Sequence, residues 1–293
     1  FLLLFNRAVV CVDRTGTITL PIRVTSLFPL PALRPLKKTF EEICNERARE
    51  LLDRAERLDT KLNVFYSGGI DSTLLLVSLL KNATPVQQSR LVVLLSEESI
   101  SENPHFYRDH IRGKLAVMSS QRFPLLLGTR QMFVGGEHND QLFGSFAVLD
   151  LLMRYGPEKV HQPYDRDAVF AVFYQKLPDA AAVNFYLDLF ERLKNAAPIP
   201  IVTNLDFLWW INFTLKWQSV FIRMIAYTAE RNVPAIDQVY MDTYYTHFYK
   251  TDDFQLWSMN NPDKKIKDSW KTYKWVCKDI IYEYTRDADY RDN

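Results

Sequence analysis

Four short stretches of this chain are apolar nearly throughout: "LNVF" at 62–65, "LVVLL" at 91–95, and the apolar parts of "KLAVMSS" (114–120) and "QMFVGG" (131–136). A strand with one wet face alternates apolar and polar residues, whereas a strand apolar at every position has both faces covered. Segments with helical spacing lie between them, near 72–81 and 103–112. Another precedes the first strand, where Phe40, Ile43, Cys44, Ala48, Leu51, Leu52, Ala55 and Leu58 recur at helical intervals. Strands alternating with helices predict an α/β class, a parallel sheet flanked by helices. Only about a dozen residues separate "AVMSS" from "QMFVGG", barely the minimum for a right-handed crossover. So short a link leads us to expect that the natural chain carries further residues there.

Three regions follow from the patterning. Residues 1–35 read as a short N-terminal β segment and linker: two strands within 8–25 around a turn at Asp13 to Gly16, then proline-rich "LFPLPALRP". Residues 36–150 form the α/β domain, and 151–293 a mainly helical C-terminal region. "FLWWINFTLKWQSVFIRMIAYTA" (207–229) is apolar enough to suggest a bilayer but carries Lys216, Gln218 and Arg223. Charges in a bilayer cost several kcal/mol, so the stretch reads as core helix and no membrane association is expected. The net charge of +1 gives no strong nucleic-acid signal. Cys11, Cys44 and Cys277 are far apart and form no CxxC pair, which fits a reducing, cytoplasmic setting. "FLLLF" at the start is too short for a signal peptide's apolar region.

The joint "SGGIDS" (67–72) connects the first strand directly to a helix. Gly68 and Gly69 allow a tight turn that brings backbone N–H groups to a ligand. The helix end beside them adds unpaired N–H groups and a positive dipole, which together suit a phosphate. Ser67 and Ser72 offer hydroxyls. Asp71, a carboxylate beside a phosphate site, makes sense with a cation such as Mg²⁺ between them. The plainer alternative is a strand-to-helix turn with Asp71 as N-cap. There is no Walker A lysine.

SGGIDS resembles the pyrophosphate loop of the ATP pyrophosphatases, which split ATP into AMP and pyrophosphate. A second joint, "GGEHNDQLFGS" (135–145), resembles the asparagine synthetase pattern S-G-E-G-x-D-E-x-F-G-G. Gly136, Glu137, Asp140, Phe143 and Gly144 match, while His138 and Ser145 replace glycines and Gln141 replaces an acid. The resemblance implies an adenine nucleotide alpha hydrolase-like fold, with both joints at the carboxyl ends of parallel strands. It implies ATP and Mg²⁺ as cofactors, with ATP held by Ser67, Gly68, Gly69, Asp71, Ser72 and Gly136. Asp71 and Asp140 would hold the metal, and Glu137 would stand beside the reacting acyl group. Gln141 leaves the metal one carboxylate fewer, and His138 is either a general base or a histidine satisfied by backbone. The family places a lysine over the α-phosphate from a C-terminal helix. "SWKTYKWVCKDII" offers Lys274 there, with Lys278 after it and Lys271 as fallback, against the plainer reading of a solvated basic helix face. "RNVPAIDQVYMD" (231–242) keeps only Pro234 and Asp237 of a further family stretch.

The implied activity is an ATP-dependent, AMP-forming ligase that adenylates a carboxylic acid and transfers the acyl group to an amine or ammonia. Residues 1–60 hold no glutaminase domain, so a separate glutaminase is a candidate partner. The alternatives are an enzyme activating RNA or a nucleotide base, and an ATP-binding protein without turnover. Tyr240, Tyr244, Tyr245, Phe248 and Tyr249 read as core or as pocket walls.

Overall fold

The four apolar stretches become strands of one parallel sheet: β1 (Leu62–Phe65), β2 (Leu91–Leu95), β3 (Ala116–Ser119) and β4 (Met132–Gly135). The computed structural model describes residues 12–19, 24–144, 146–228 and 236–292. A fifth strand, β5 (Tyr245–His247), completes the order β3-β2-β1-β4-β5, with every neighbouring pair parallel. β2 and β4 are buried along their whole length, as continuous apolar runs require. β3 departs from that expectation: Ala116, Val117 and Ser119 are exposed, because the outermost strand has one neighbour instead of two. The link from β3 to β4 passes the two intervening strands through a 3₁₀ turn, Ser120–Arg122, and a one-turn helix, Phe123–Leu126. The short crossover is thus closed by the residues between the two strands.

Helix α1 (Phe40–Arg57) starts at a capping box between Thr39 and Glu42 and buries the apolar face its spacing foretold. Its buried Arg47 donates to the carbonyls of Phe248 (3.2 Å) and His247 (3.1 Å) and to Thr246 Oγ1 (2.8 Å), which ties α1 to the end of β5. Helix α2 (Ile70–Asn82) packs against α1 on one side and against α3 (Trp275–Thr285) on the other. Tyr240, Tyr245, Phe248 and Tyr249 are buried in the core, with Phe40 packing on Phe254 and Trp257 at centroid distances of 5.2 and 4.5 Å.

The chain divides into two units that interleave along the sequence. The sheet unit comprises Lys37–Asn139, Met224–Trp257 and Trp275–Asn293; the other comprises Phe1–Leu36, Asp140–Arg223 and Ser258–Lys274. Division at residues 35 and 150 therefore misses two returns to the sheet unit, because β5 pairs with β4 and α3 packs on α2. In the second unit the long apolar run splits into Asn204–Leu215, with every residue buried, and a helix beginning at Trp217, around exposed Lys216. Among the described residues no helix is long and apolar enough to cross a membrane. The strands expected within 8–25 lie partly outside the described residues. In 12–19 the chain forms an Asp13-centred turn, whose carboxylate accepts from the N–H groups of Thr15 (2.7 Å), Thr17 (2.6 Å) and Ile18 (2.8 Å). Those bonds use donors that a ladder would need, so no strand forms there.

Candidate functional site

β1 and β4 are neighbours at the centre of the sheet, and the strand order reverses direction between them. In an open α/β sheet the loops leaving such a switch point splay apart and leave a crevice at the carboxyl ends. The loop 67–69 leaves β1 there, and 136–138 leaves β4.

Gly68 has φ +86, and a Cβ on it would lie 2.5 Å from the Ser99 carbonyl oxygen and 2.6 Å from Glu102 Cβ. It is glycine for both conformation and space. Gly69, at φ −72, is the N-cap of α2 without a side-chain cap, which corrects the alternative that made Asp71 the cap. Gly69 itself has no side chain to accept from the first N–H groups of α2, the donors that an anion at a helix start would meet. Ser72 is turned inward: its Oγ accepts from Ser67 N at 3.1 Å, donates to Gly69 O at 3.1 Å and lies 3.0 Å from Ser67 Oγ. It shapes the loop, while exposed Ser67 faces out. Asp71 sits in the first turn of α2, where the helix dipole favours its charge. Its backbone carbonyl accepts from Tyr249 Oη at 2.9 Å.

The second motif lies on the first. A Cβ on Gly136 would be 3.0 Å from Asp71 C, 3.0 Å from Ser72 N and 3.2 Å from Asp71 O, so only glycine lets β4's loop rest on the start of α2. Asn139 Nδ2 donates to Asp71 Oδ1 at 2.7 Å and lies 3.6 Å from Cys277 Sγ. Its own Oδ1 is buried with no hydrogen-bond partner. Sequence reasoning passed over Asn139 because it fills the variable position of the pattern. Glu137 is half-buried, the second residue after β4.

His138, standing where the related pattern has glycine, keeps a glycine-like φ of +78. It is buried, and its Nδ1 is 3.0 Å from His247 Nδ1, whose Nε2 is 2.9 Å from Tyr245 Oη. One ring of the pair must donate and the other accept, so a second side chain takes part in satisfying this histidine. No sequence signal links His138 to a residue 109 positions away.

A unit boundary falls between Asn139 and Asp140; Lys278 and Asp237 belong to the sheet unit, while Asp140, Gln141 and Lys274 belong to the second unit. There Lys274 Nζ donates to Asp140 Oδ1 at 2.8 Å, Tyr273 Oη lies 3.3 Å from the same oxygen, and Asn212 Nδ2 donates to Asp140 O at 3.0 Å. Burial pushes the Asp140 carboxyl up, but the Lys274 charge and its hydrogen bond outweigh this and hold it below the ordinary carboxylate value. Lys274 is not on a helix, as its sequence context suggested. It precedes α3 with φ +57, and its N–H donates to Lys265 O at 3.1 Å. The basic stretch is solvated only in part: Lys274, Lys278 and Lys265 are buried, Lys264 is half-buried, and Lys267 and Lys271 are exposed. Gln141 is buried with its Oε1 unpartnered. Pro234 and Ser145 lie outside the described residues, while Asp237 caps helix Gln238–Tyr244.

The sheet unit thus offers a helix start whose N-cap is glycine, a left-handed glycine turn, the carboxylates of Asp71 and Glu137 and one orphaned amide oxygen at the switch point. The second unit offers an aspartate–lysine pair. Among the described residues no three His, Cys, Asp or Glu side chains form a metal-binding group. No family model, curated protein or solved structure matches the chain.

Proposed function

We propose that this chain is an ATP-dependent, AMP-forming carbon–nitrogen ligase of the asparagine synthetase-like kind, with the adenine nucleotide alpha hydrolase-like fold that this implies. The observation that carries the reading is the close approach of Gly136 to the Asp71–Ser72 backbone, where an added Cβ would lie 3.0 Å from Asp71 C and Ser72 N. Two separately recognised motifs meet at one sheet switch point, which is where an open α/β sheet binds its ligand.

A carboxylate is a poor electrophile, because its charge repels a nucleophile and oxide is a poor leaving group. Transfer of AMP onto it creates a good leaving group, and an in-line displacement of pyrophosphate needs that group held still. The N–H groups around Gly69 and the start of α2 would hold the pyrophosphate, with Ser67 Oγ beside them. The donors near the loop suit a hard cation: the Asp71 carboxylate and the unpartnered Asn139 Oδ1 are oxygens. Mg²⁺ bound by Asp71, and by Asp140 as the resemblance has it, would supply neutralisation of the leaving pyrophosphate's charge. Glu137 would take the proton of the attacking amine or ammonia, and Lys274 would stabilise charge on the α-phosphate. A carboxylic acid is the first substrate, a separate glutaminase is one source of ammonia, and a cytoplasmic location belongs to the same proposal.

A second reading, nucleotide binding without turnover, is favoured by two observations. Gln141 stands in place of an acid, and Asp140 and Lys274 neutralise each other at 2.8 Å. Pyrophosphate release from ATP and Mg²⁺ in the presence of a panel of carboxylic acids and amines separates the readings. Acid-dependent release supports the ligase, and nucleotide affinity without release under any acid supports the binding protein.

A further inference from the structure

Tyr290, in the short helix Ala288–Asp292, lies 222 residues after the glycine it holds. Its hydroxyl donates to Gly68 O at 3.1 Å and lies 3.3 Å from Thr73 Oγ1, which itself donates to Gly68 O at 3.2 Å. The turn bearing Tyr290 is fixed by Asp287, whose Oδ1 accepts from Tyr290 N at 3.0 Å and whose Oδ2 lies 3.2 Å from His105 Nδ1.

The bond joining Gly68 and Gly69 is a planar trans peptide, so its carbonyl and its N–H point in opposite directions. Glycine on both sides leaves that plane nearly free to rotate, since no Cβ restricts either neighbour. Within the loop the Gly69 N–H donates to Ser67 Oγ at 3.4 Å, a long bond whose place a phosphate oxygen can take. Tyr290 and Thr73 act on the same peptide from outside 67–72. By holding the carbonyl on the buried side they keep the Gly69 N–H on the opposite, half-exposed side.

We propose that Tyr290 is a positioning residue that sets the Gly68–Gly69 peptide so that the Gly69 N–H is presented to phosphate. This rests on the reading of 67–72 as a pyrophosphate loop. A flipped peptide would present a carbonyl oxygen to the anion instead, and repel it.

The test is calorimetric titration of the full chain with pyrophosphate and, separately, with adenosine. Tyr290→Phe keeps the ring and removes the donor. Asp287→Ala releases the turn without altering Tyr290. Each should weaken pyrophosphate about fivefold, the size of one hydrogen bond's net contribution, and leave adenosine within twofold of wild type. Unchanged pyrophosphate affinity in both variants overturns the positioning role, and so does an equal loss for both ligands, which would mean general loosening. A wild-type chain that binds adenosine but not pyrophosphate overturns the loop reading itself and the positioning role with it. If Tyr290→Phe fails to fold, Asp287→Ala alone decides between these outcomes.

Discussion

Gly68→Ala and Gly69→Ala, adjacent and chemically identical changes, should differ sharply in stability. At Gly68 the new Cβ meets two obstacles. The backbone is left-handed at φ +86, which costs an L-residue roughly 1–2 kcal/mol. The Cβ would also sit 2.5 Å from the Ser99 carbonyl oxygen and 2.6 Å from Glu102 Cβ, closer than real Cβ contacts, and relieving such overpacking costs roughly 1–3 kcal/mol. Alanine's smaller unfolded-state entropy returns about 0.4–1 kcal/mol. The net loss is about 3 kcal/mol. At Gly69 the φ of −72 suits any residue, and the nearest atom to a Cβ is Ser67 Oγ at 3.5 Å. The same entropy gain then offsets the small loss of N-cap preference, and the net effect is near zero. Urea unfolding followed by tryptophan fluorescence measures both. With a slope of about 2 kcal/mol/M, Gly68→Ala should lower the midpoint by about 1.5 M and Gly69→Ala by less than about 0.3 M. Equal midpoints for the two variants would refute the loop conformation on which the site is built.

Three further outcomes are expected. Asp71→Asn and Asp140→Asn should each abolish AMP formation, with the urea midpoint little changed for Asp71→Asn and lowered for Asp140→Asn, which removes the counter-charge of buried Lys274; near-normal turnover at limiting Mg²⁺ removes that aspartate from the metal assignment. Lys265, buried over the Trp209 ring at 4.2 Å and donating to Ser258 O at 2.9 Å, has its ammonium pulled down to about 7 by burial, against the charges of Asp206 and Asp263. Between pH 7 and the ordinary lysine value of about 10.4 the unfolded chain binds the extra proton, so stability should rise with pH there, by at most about 1.4 kcal/mol per unit. Unfolding at pH 7 and pH 9 reads this rise, and Lys265→Met should reduce it to the part that Lys250, pulled down to about 8 by burial, still contributes; a Met variant with the wild-type slope refutes the assignment. His138→Gly should leave AMP formation within a few-fold of wild type, since glycine accepts φ +78 and the histidine is bonded to His247. A hundredfold loss of rate would instead give His138 a chemical role.

Local sequence carried what depends on periodicity and on single backbone positions. The nearly all-apolar runs at 62–65, 91–95 and 132–135 declared a parallel sheet, because burial on both faces favours apolar side chains; the one polar side chain among them, Asn63, is buried with its Nδ2 donating to Gln131 Oε1 and Met132 O. The glycines of the two joints were legible for a similar reason: a left-handed turn and a close backbone approach leave only one residue type that fits. Long-range partnership was not legible. The three residues of β5, "YTH", include two strand-favouring types but are too short a run to show a pattern, and become a strand by pairing with β4, more than a hundred residues earlier. Lys274 looked like one lysine among many until the fold buried it against Asp140. Asn139, His247 and Tyr290 acquire their roles only through hydrogen bonds that span 68, 109 and 222 residues. A sequence records what each residue requires of its immediate surroundings. Which distant residue meets that requirement is decided when the sheet and its helices close, since only then do the burial and geometry that make a hydrogen bond worth forming exist.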